Sequence, residues 1–291
     1  PPPSSGGVVI IEMLNILEGY DLASYGHNSA QYLHLLTESM RRSYADRAEY
    51  LGDPDFNESM PLDRLMDKDY AATLRASIDM DKASVSDENE YAGIYESEET
   101  THYSVVDKDG NMVSVTYTLE NGYGSRIVAE GAGYLLNNEM GDFNAVPGVT
   151  NRNGQIGTTP NLIEPEKRML SSMSPTIVAK DGKPVFAVGS PGGRTIINTT
   201  AQAILNLIDF GMNIAESVEA PRIHHQWLPD VTSFEGLGFS GDTLRLYEEK
   251  GHVVRARGEQ GSVMGVYHDR DSDIFLGAAD SRAGDGAVVG Y

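Results

Sequence analysis

The sequence lacks cysteine altogether and is poor in basic residues. Without cysteine, disulfides, cysteine-ligated zinc, iron–sulfur clusters and thiol nucleophiles are excluded. The 22 Lys and Arg residues stand against 43 Asp and Glu, which gives a formal net charge of −21. A chain this acidic repels phosphate backbones and anionic lipid, so we expect no nucleic-acid partner. No apolar run approaches the roughly 20 residues that span a bilayer, so no membrane span is expected.

An initiating methionine is also missing. The chain opens with Pro1-Pro2-Pro3 and soon enters an apolar stretch, with no charged leader or small-residue cleavage site. We therefore expect a piece of a longer chain, in which any signal peptide lies outside the sequence. The remaining composition, with 40% hydrophobic residues, is that of an ordinary globular protein. Its 291 residues suffice for one large domain or two modest ones.

Residues 1–78 have the apolar periodicity of helices. One helix is predicted over residues 7–18. A long helix is predicted from Ser29, a residue suited to cap it, to Tyr50. Arg41 and Arg47 are expected on the outer side of this helix.

The pattern changes after residue 86. Residues 86–99 carry six acidic side chains and no basic one. This run is either a solvated acidic linker or a mobile stretch that leads to a processing point. From Thr100, alternating residues predict three strand pairs, with helices between the second and third pairs. The pairs are residues 101–107 with 111–119, 176–179 with 183–188, and 262–267 with 274–278. Together with the helices they predict an α+β layered fold.

The first strand pair brings two threonines together. Lys108-Asp109-Gly110 is typical of a three-residue hairpin loop with Gly110 in the left-handed conformation. In that register Thr118 lies opposite Thr100 on the same face of the sheet. A two-residue loop would instead place Thr101 opposite Thr118. Threonine pairs also occur in sheets that carry no chemistry, so this pair alone does not define a site.

A glycine-rich turn connects a predicted strand with a helix. Gly192 and Gly193 precede the helix start at Thr195, so bare N–H groups point outward at the positive end of the helix dipole. Such a turn holds a phosphate or an oxyanion. A Walker A loop is excluded because no Lys follows the glycine pair. The same sequence is also compatible with a simple tight turn.

Two further segments are rich in polar side chains. Glu139 and Asp142 lie three residues apart after a predicted strand. They would either ligate a metal ion, although no His cluster completes the set, or belong to a solvated loop. Ser171 and Ser172 form either a hydroxyl-rich binding edge or the start of the next strand.

Together these segments resemble the γ-glutamyltranspeptidase family. Thr100-Thr101-His102-Tyr103-Ser104 strongly resembles the start of the family's small subunit. The likeness continues in Asn137-Asn138-Glu139, Ser171-Ser172-Met173-Ser174 and Gly189-Ser190-Pro191-Gly192-Gly193, and in Tyr50-Leu51-Gly52-Asp53-Pro54, the N-terminal proline run and the closing Gly290-Tyr291. The resemblance thus extends over the whole chain.

The resemblance implies the N-terminal-nucleophile hydrolase fold, a four-layer αββα sandwich. It also implies a proenzyme that cleaves itself before a threonine, here between Glu99 and Thr100. Residues 1–99 then correspond to the helical C-terminal part of the large subunit, ending in a mobile acidic segment. Residues 100–291 correspond to the complete small subunit, and both belong to one αββα domain. The missing N-terminal part of the large subunit would be a protein partner in a heterodimer of processed subunits.

The activity that the resemblance implies is a γ-glutamyl hydrolase or transferase acting on glutathione and other γ-glutamyl amides. The freed α-amine of Thr100 would serve as the base for its own hydroxyl. Thr118 would hydrogen-bond the Thr100 hydroxyl. The N–H groups of Gly192 and Gly193 would stabilise the oxyanion. No cofactor and no metal is expected.

The resemblance also implies how the γ-glutamyl group is held. Its α-ammonium would be bound by Glu120, Glu139 and Asp142, and its α-carboxylate by Ser171 and Ser172. An arginine of the large subunit, outside this sequence, would assist the serine pair. Glu120 stands where many members have Asn, and Gly141 replaces an acidic residue that is common beside Asp142.

Other functions remain compatible with the residues. An acylase for glutaryl-β-lactams or a poly-γ-glutamate-processing enzyme would share the fold, although the three carboxylates argue for a substrate with an α-amino group. An inactive module that binds an anion at the glycine turn is a candidate from another class. The acidic, cysteine-free composition is compatible with export, so a periplasmic or extracellular location is expected.

Overall fold

The computed structural model describes residues 5–86, 100–150 and 156–290. Helices occupy Gly6–Leu17 (α1), Leu22–Tyr25 (α2), Ala30–Tyr50 (α3), Leu62–Leu65 (α4), Lys68–Ala76 (α5), Thr195–Ile208 (α6), Ile214–Glu219 (α7) and Gly241–Glu249 (α8). Strands occupy Thr100–Val106 (β1), Met112–Thr118 (β2), Thr176–Lys180 (β3), Lys183–Gly189 (β4), Ile223–His224 (β5), Thr232–Glu235 (β6), Val254–Arg257 (β7), Met264–Asp269 (β8) and Ile274–Ala279 (β9). This mixture confirms the α+β class.

Helices α1 and α3 form the centre of the helical part. The Ser29 hydroxyl accepts the Tyr32 N–H at 3.1 Å and so caps α3, as predicted. α1 packs between α3, α5 and α6, and its Met13 and Ile16 are fully buried. The helices predicted for residues 1–78 are therefore confirmed in outline.

The prediction that Arg41 and Arg47 lie on the outside of α3 is wrong. The two residues are only 6% and 9% exposed, because α3 packs against α1 and also against α8. Arg41 is paired with Glu38 and Asp230. Arg47 donates hydrogen bonds to serines of the site described below. Burial of these arginines is compatible with folding because each has polar partners.

The β1–β2 hairpin adopts the register of the three-residue loop. The Asp107 N–H donates to the Asn111 carbonyl at 3.0 Å, and the ladder places Thr100 opposite Thr118. The alternative register, with Thr101 opposite Thr118, is wrong. The two threonines therefore meet at the open end of the hairpin.

The hairpin lies on one face of a four-stranded sheet with the order β3-β4-β8-β9. A Cβ on Gly189 would overlap the His102 ring of the hairpin, whereas a Cβ on Gly265 would meet Ile214 of α7 at 2.7 Å. Gly265 pairs with Val188, the neighbour of Gly189, and successive strand residues point to opposite faces. Helix α7 thus lies on the face opposite the hairpin, and α6 also packs against β4.

The outer face of the hairpin is exposed and apolar. It carries Tyr103, Val105, Val113 and Tyr117, each at least half exposed. A sheet face of this kind is normally covered by another layer.

A third sheet, β5-β6-β7, was not predicted. Its strands are two to four residues long, too short for an alternating pattern to show. None of the described helices combines the length and apolar character needed to cross a membrane.

Candidate active site

The two threonines lie at an open cleft with a water-accessible volume of about 80 Å³. This cleft brings together most of the predicted site residues: Thr100, Thr118, Glu120, Glu139, Asp142, Ser171, Ser172 and Gly193. Gly192 is buried next to Gly193. Glu99, predicted on the other side of the cleavage point, lies outside the described residues.

The glycine turn forms at the N-terminal end of α6. Gly192 and Gly193 have φ values of 129° and 55°, which favour glycine over residues with a side chain. A Cβ on Gly192 would lie 2.6 Å from Oγ1 of Thr195. The Thr195 hydroxyl in turn donates to the Gly192 carbonyl at 2.7 Å and fixes the turn. The amides of the turn therefore lie where a helix terminus attracts negative charge.

The Thr118 hydroxyl is held from two sides. Its oxygen accepts the Glu120 N–H at 2.8 Å, and its side chain hydrogen-bonds to the Glu139 carboxylate. A hydroxyl has one hydrogen and two lone pairs. The Thr118 hydrogen is therefore directed to Glu139, while its oxygen accepts the Glu120 N–H.

Three carboxylates concentrate negative charge in the cleft. Burial, Asp142 and Glu120, in that order, raise the pKa of Glu139 to about 7. The pKa of Glu120 is also raised, by burial and by Asp142. Glu139 is 7% exposed and lies in a 3₁₀ turn, Glu139–Asp142, so the solvated-loop interpretation is wrong for it. Carboxylates that repel each other in this way favour a bound cation.

The serine pair is held by an arginine that sequence reasoning missed as a site residue. Arg47 Nη2 donates to Ser172 Oγ at 3.0 Å, and its Nε donates to Ser5 Oγ at 3.1 Å. The Ser5 hydroxyl donates to the Ser171 carbonyl. Because Arg47 also lines the cleft, it both orients the serines and adds a positive charge to the site.

A signal for Arg47 exists in the sequence. Met40, Tyr44 and Arg47 follow the i, i+4, i+7 spacing of one helix face. Met40 and Tyr44 are 0% and 3% exposed, so the same face carries Arg47 inward. The positive charge of Arg47 favours an outer position, whereas its place on the apolar helix face favours an inner one, and the second determines where it lies.

One buried amide connects the acidic turn with the serine segment. Asn161 Nδ2 donates to the Asp142 carbonyl at 2.7 Å, and its Oδ1 accepts the Leu170 N–H at 2.9 Å. Asn161 is 3% exposed, so water competes little for either hydrogen bond. The spacing between the carboxylates and the serines is thereby fixed.

His102 fixes the hairpin against the strand that leads to the glycine turn. Its ring is within hydrogen-bond distance of Thr116 Oγ1 (2.8 Å) and Ser104 Oγ (3.1 Å). Burial lowers the pKa of His102 to about 4, so the ring is neutral. It fills the space that a side chain on Gly189 would need. Strand β1 and the glycine turn therefore have a defined separation.

Among the described residues, one cluster has the spacing of metal ligands: His34, Glu38 and His252. His34 Nδ1 lies within hydrogen-bond distance of His252 Nε2 (2.7 Å), and His34 Nε2 lies within hydrogen-bond distance of the Asp79 carbonyl oxygen (2.8 Å). Glu38 accepts from Arg42 at 2.6 Å. His34 and Glu38 are thus engaged in a hydrogen-bond network, and the cluster does not line the cleft.

Comparison with known proteins agrees with this geometry. The gamma-glutamyltranspeptidase family model matches residues 1–290. The glutathione hydrolase proenzyme of Escherichia coli (strain K12) is 50% identical over 293 residues, which cover 100% of this chain and 50% of the relative. The chain thus spans about half the length of the curated relatives it matches.

Solved structures agree as well. A mutant of the Helicobacter pylori gamma-glutamyltranspeptidase matches with a TM-score of 0.58 and 47% identity, over 62% of this chain and 99% of that chain. Cephalosporin acylase from Bacillus halodurans matches with a TM-score of 0.81 over 100% of this chain and 50% of that chain; at 24% identity it shows the shared fold. The expected N-terminal-nucleophile hydrolase fold is confirmed, and the chain belongs to the gamma-glutamyltranspeptidase family.

Proposed function

We propose that this chain carries the catalytic centre of a γ-glutamyl hydrolase/transferase that works through a γ-glutamyl ester of Thr100. One observation supports the proposal most: a single cleft is lined by a strand-end threonine, a glycine turn, three carboxylates and an arginine-held serine pair. Acyl transfer needs a nucleophile and an oxyanion site. A zwitterionic donor additionally needs binding groups of both charges.

The reaction requires prior cleavage of the Glu99–Thr100 bond. In this step the Thr100 hydroxyl attacks the Glu99 carbonyl and the C–N bond breaks, which leaves an ester. The breaking C–N bond frees the α-amine of Thr100, whose nitrogen takes up the proton. Water then hydrolyses the ester to a carboxylate on Glu99 and restores the Thr100 hydroxyl. An unperturbed α-amine has a pKa of about 7.7–8.0, so it is partly unprotonated near neutral pH. Thr100 then supplies both nucleophile and base.

Catalysis follows from the same groups. In the resting enzyme the Thr118 oxygen accepts the Thr100 hydroxyl and orients it, since the Thr118 hydrogen is directed to Glu139. On attack the Thr100 amine takes the hydroxyl proton, and the N–H groups of Gly192 and Gly193 stabilise the oxyanion. The proton passes to the leaving amine as the amide bond breaks. Water then releases glutamate, or an acceptor amine forms a new γ-glutamyl amide.

The proposed donors are glutathione and other γ-glutamyl amides, with amino acids or peptides as acceptors. Glu120, Glu139 and Asp142 would hold the α-ammonium group of the donor. Ser171 and Ser172 would hold its α-carboxylate, with Arg47 behind Ser172. The cleft thus offers complementary charge to both ends of an amino acid.

The proposed processed subunits are residues up to 99 and residues 100–291. Helices and strands from both sides of residue 99 pack into one core, as in the contact between α1 and α6, so cleavage would leave the two parts associated. The exposed apolar face of the hairpin, at Tyr103 and Tyr117, suits a further layer. The curated relatives are about twice as long as this chain. We propose that the corresponding additional segment of the full-length gene product covers this face.

The proposal is tested by turnover of γ-glutamyl-p-nitroanilide by the full-length gene product. Thr100→Ala should lower kcat roughly 10³-fold or more, because it removes the nucleophile. Thr101→Ala, at the exposed neighbouring position, is the matched control and should retain activity. Full activity of the Thr100→Ala variant would contradict the proposal.

The same assay separates the other candidate functions. A related acylase would turn over glutaryl-p-nitroanilide at least as well as the γ-glutamyl compound, whereas three carboxylates disfavour a donor without an ammonium group. A poly-γ-glutamate-processing enzyme would prefer polymeric donors. An inactive anion-binding module would turn over none of them, and its ligand binding would be indifferent to Thr100→Ala.

We also propose that the protein acts outside the cytoplasm. The absence of cysteine and the net charge of −21 are compatible with export. Fractionation of the native cells, with the protein followed by antibody, tests this location.

A further inference from the structure

Glu120 has a backbone conformation that is unusual for a glutamate. Its φ is 73°, in the left-handed region that glycine and asparagine adopt more readily. Its N–H donates to Thr118 Oγ1 at 2.8 Å, and its side chain lines the cleft with Glu139 and Asp142. A strained residue at a binding site indicates that the strain serves the site.

Gly141 provides the space that the Glu120 side chain occupies. A Cβ at residue 141 would overlap Oε1 of Glu120 and lie 2.9 Å from its Cδ and 3.0 Å from its Oε2. These are the three nearest atoms, so the carboxylate itself is the obstacle. The φ of Gly141 lies outside the left-handed region, so its backbone would accept a side chain. The Gly141 N–H also donates to the Glu120 carboxylate.

We propose that Glu120 and Gly141 form a steric pair that sets how strictly the enzyme requires an ammonium group on its acyl donor. Gly141 is the positioning residue, because the absence of its side chain lets the Glu120 carboxylate lie against the turn Glu139–Asp142. Glu120 is the specificity-determining residue, because it adds a third negative charge there. The inference rests on the proposed function and names the feature of the donor that this pair selects.

Discrimination between γ-glutamyl and glutaryl donors follows from the charge of the three carboxylates, which a donor without an ammonium group does not neutralise. A glutaryl donor would enter beside three carboxylates and offer them no cation. A site built around a polar partner rejects an analogue that lacks it far more strongly than an apolar site rejects a missing methylene. The pair therefore favours γ-glutamyl over glutaryl donors.

A double-mutant cycle on the full-length gene product tests the pair. Gly141→Ala should lower kcat/KM for γ-glutamyl-p-nitroanilide about tenfold, the usual loss for one displaced charged contact, and leave the glutaryl compound nearly unchanged. Glu120→Asn removes the charge and suits the left-handed φ. In the Glu120→Asn background, Gly141→Ala should change kcat/KM less than about twofold, because its obstacle is gone.

The outcomes separate the pair from the proposed function. Equal losses from Gly141→Ala in both backgrounds, or no loss in the wild type, would overturn the pair while the function stands. A wild type that turns over neither anilide would contradict the proposed function. In that case the steric coupling is measured by the thermal unfolding midpoints of the wild type, the two single variants and the double variant. Non-additive shifts of the midpoint support the pair, and additive shifts overturn it.

Discussion

At the level of single side chains, the pKa of Glu139 controls the charge of the cleft near neutral pH. Burial and its two acidic neighbours raise that pKa to about 7. As the pH falls through this value, Glu139 takes up a proton and the proposed ammonium site loses a negative charge. KM for a γ-glutamyl donor should therefore rise about tenfold between pH 8 and pH 6.

The variant Glu139→Gln checks this pH dependence. It should raise KM at pH 8 and flatten the change of KM with pH, because the titrating group is gone. Glu130→Gln, at an exposed position, is the matched control. If KM of the wild type is constant from pH 6 to pH 8, Glu139 does not bind the ammonium group.

Arg47 is expected to act on substrate affinity more than on the chemical step. Arg47→Met removes a charge near the proposed position of the donor carboxylate, together with the hydrogen bonds to Ser172 and Ser5. KM should rise about tenfold with a smaller change in kcat. Arg245→Met, an exposed arginine of α8, serves as the control. A normal KM in a folded Arg47→Met protein would refute this role.

Local chemistry made some of these residues predictable. The loop Lys108-Asp109-Gly110 defines the hairpin register, and the register alone brings Thr100 and Thr118 together. The contacts that set the pKa of Glu139 and hold Ser172 were not predictable in this way. The pKa of Glu139 depends on neighbours brought in by folding, and Arg47 reaches Ser172 across 125 residues of sequence, which no local pattern specifies.

At the level of secondary structure, the turn between β4 and α6 depends on Gly192. Its φ of 129° and the 2.6 Å approach of Thr195 Oγ1 both exclude a side chain. Gly192→Ala should distort the turn amides and lower kcat on the order of 10²–10³-fold, the usual loss for an oxyanion donor. Gly258→Ala, at a glycine with open space around it, should have little effect. Steady-state kinetics that leave the Gly192→Ala protein fully active would exclude this turn as the oxyanion site.

Elements that pair locally were predictable, and contacts between distant elements were not. The strand pairs β1–β2, β3–β4 and β8–β9 follow from short loops between alternating segments. The contact of His102 with Gly189 joins two sheets and leaves no periodic signal. The same holds for Asn161, whose amide links two irregular segments.

For the molecule as a whole, a buried pair of acids makes stability depend on pH. Glu12 of α1 is 1% exposed and hydrogen-bonds with Asp46 of α3, which also accepts the Tyr70 hydroxyl at 2.6 Å. Burial and Asp46 raise the pKa of Glu12 to about 9. The folded protein therefore binds more protons than the unfolded chain between about pH 4.5 and pH 9, and this pair's contribution to stability falls as the pH rises through that range.

Glu12→Gln keeps a neutral, hydrogen-bonding side chain at every pH. It should raise the free energy of unfolding by about 1–3 kcal/mol at pH 8 and change it little at pH 4. Glu49→Gln, at an exposed position of α3, is the control. Urea unfolding at both pH values measures the difference, and an equal effect of Glu12→Gln at pH 4 and pH 8 would show that Glu12 is not held neutral.

The α+β class and the family were accessible from the sequence because motifs for the nucleophile, the serines and the glycine turn occur in order along it. The layer order came only from the family resemblance and not from the strand patterns, because the exposed outer face of the hairpin alternates like any half-buried strand pair. Which face becomes buried depends on what else packs there.

The central claim is that Thr100 acts as a free N-terminal residue facing the glycine turn. Intact mass spectrometry of the purified full-length gene product, together with its γ-glutamyl turnover, tests this most directly. The account predicts two polypeptides, one of which begins at Thr100, and activity that rises in proportion to their formation. A single uncleaved chain with full activity would contradict it.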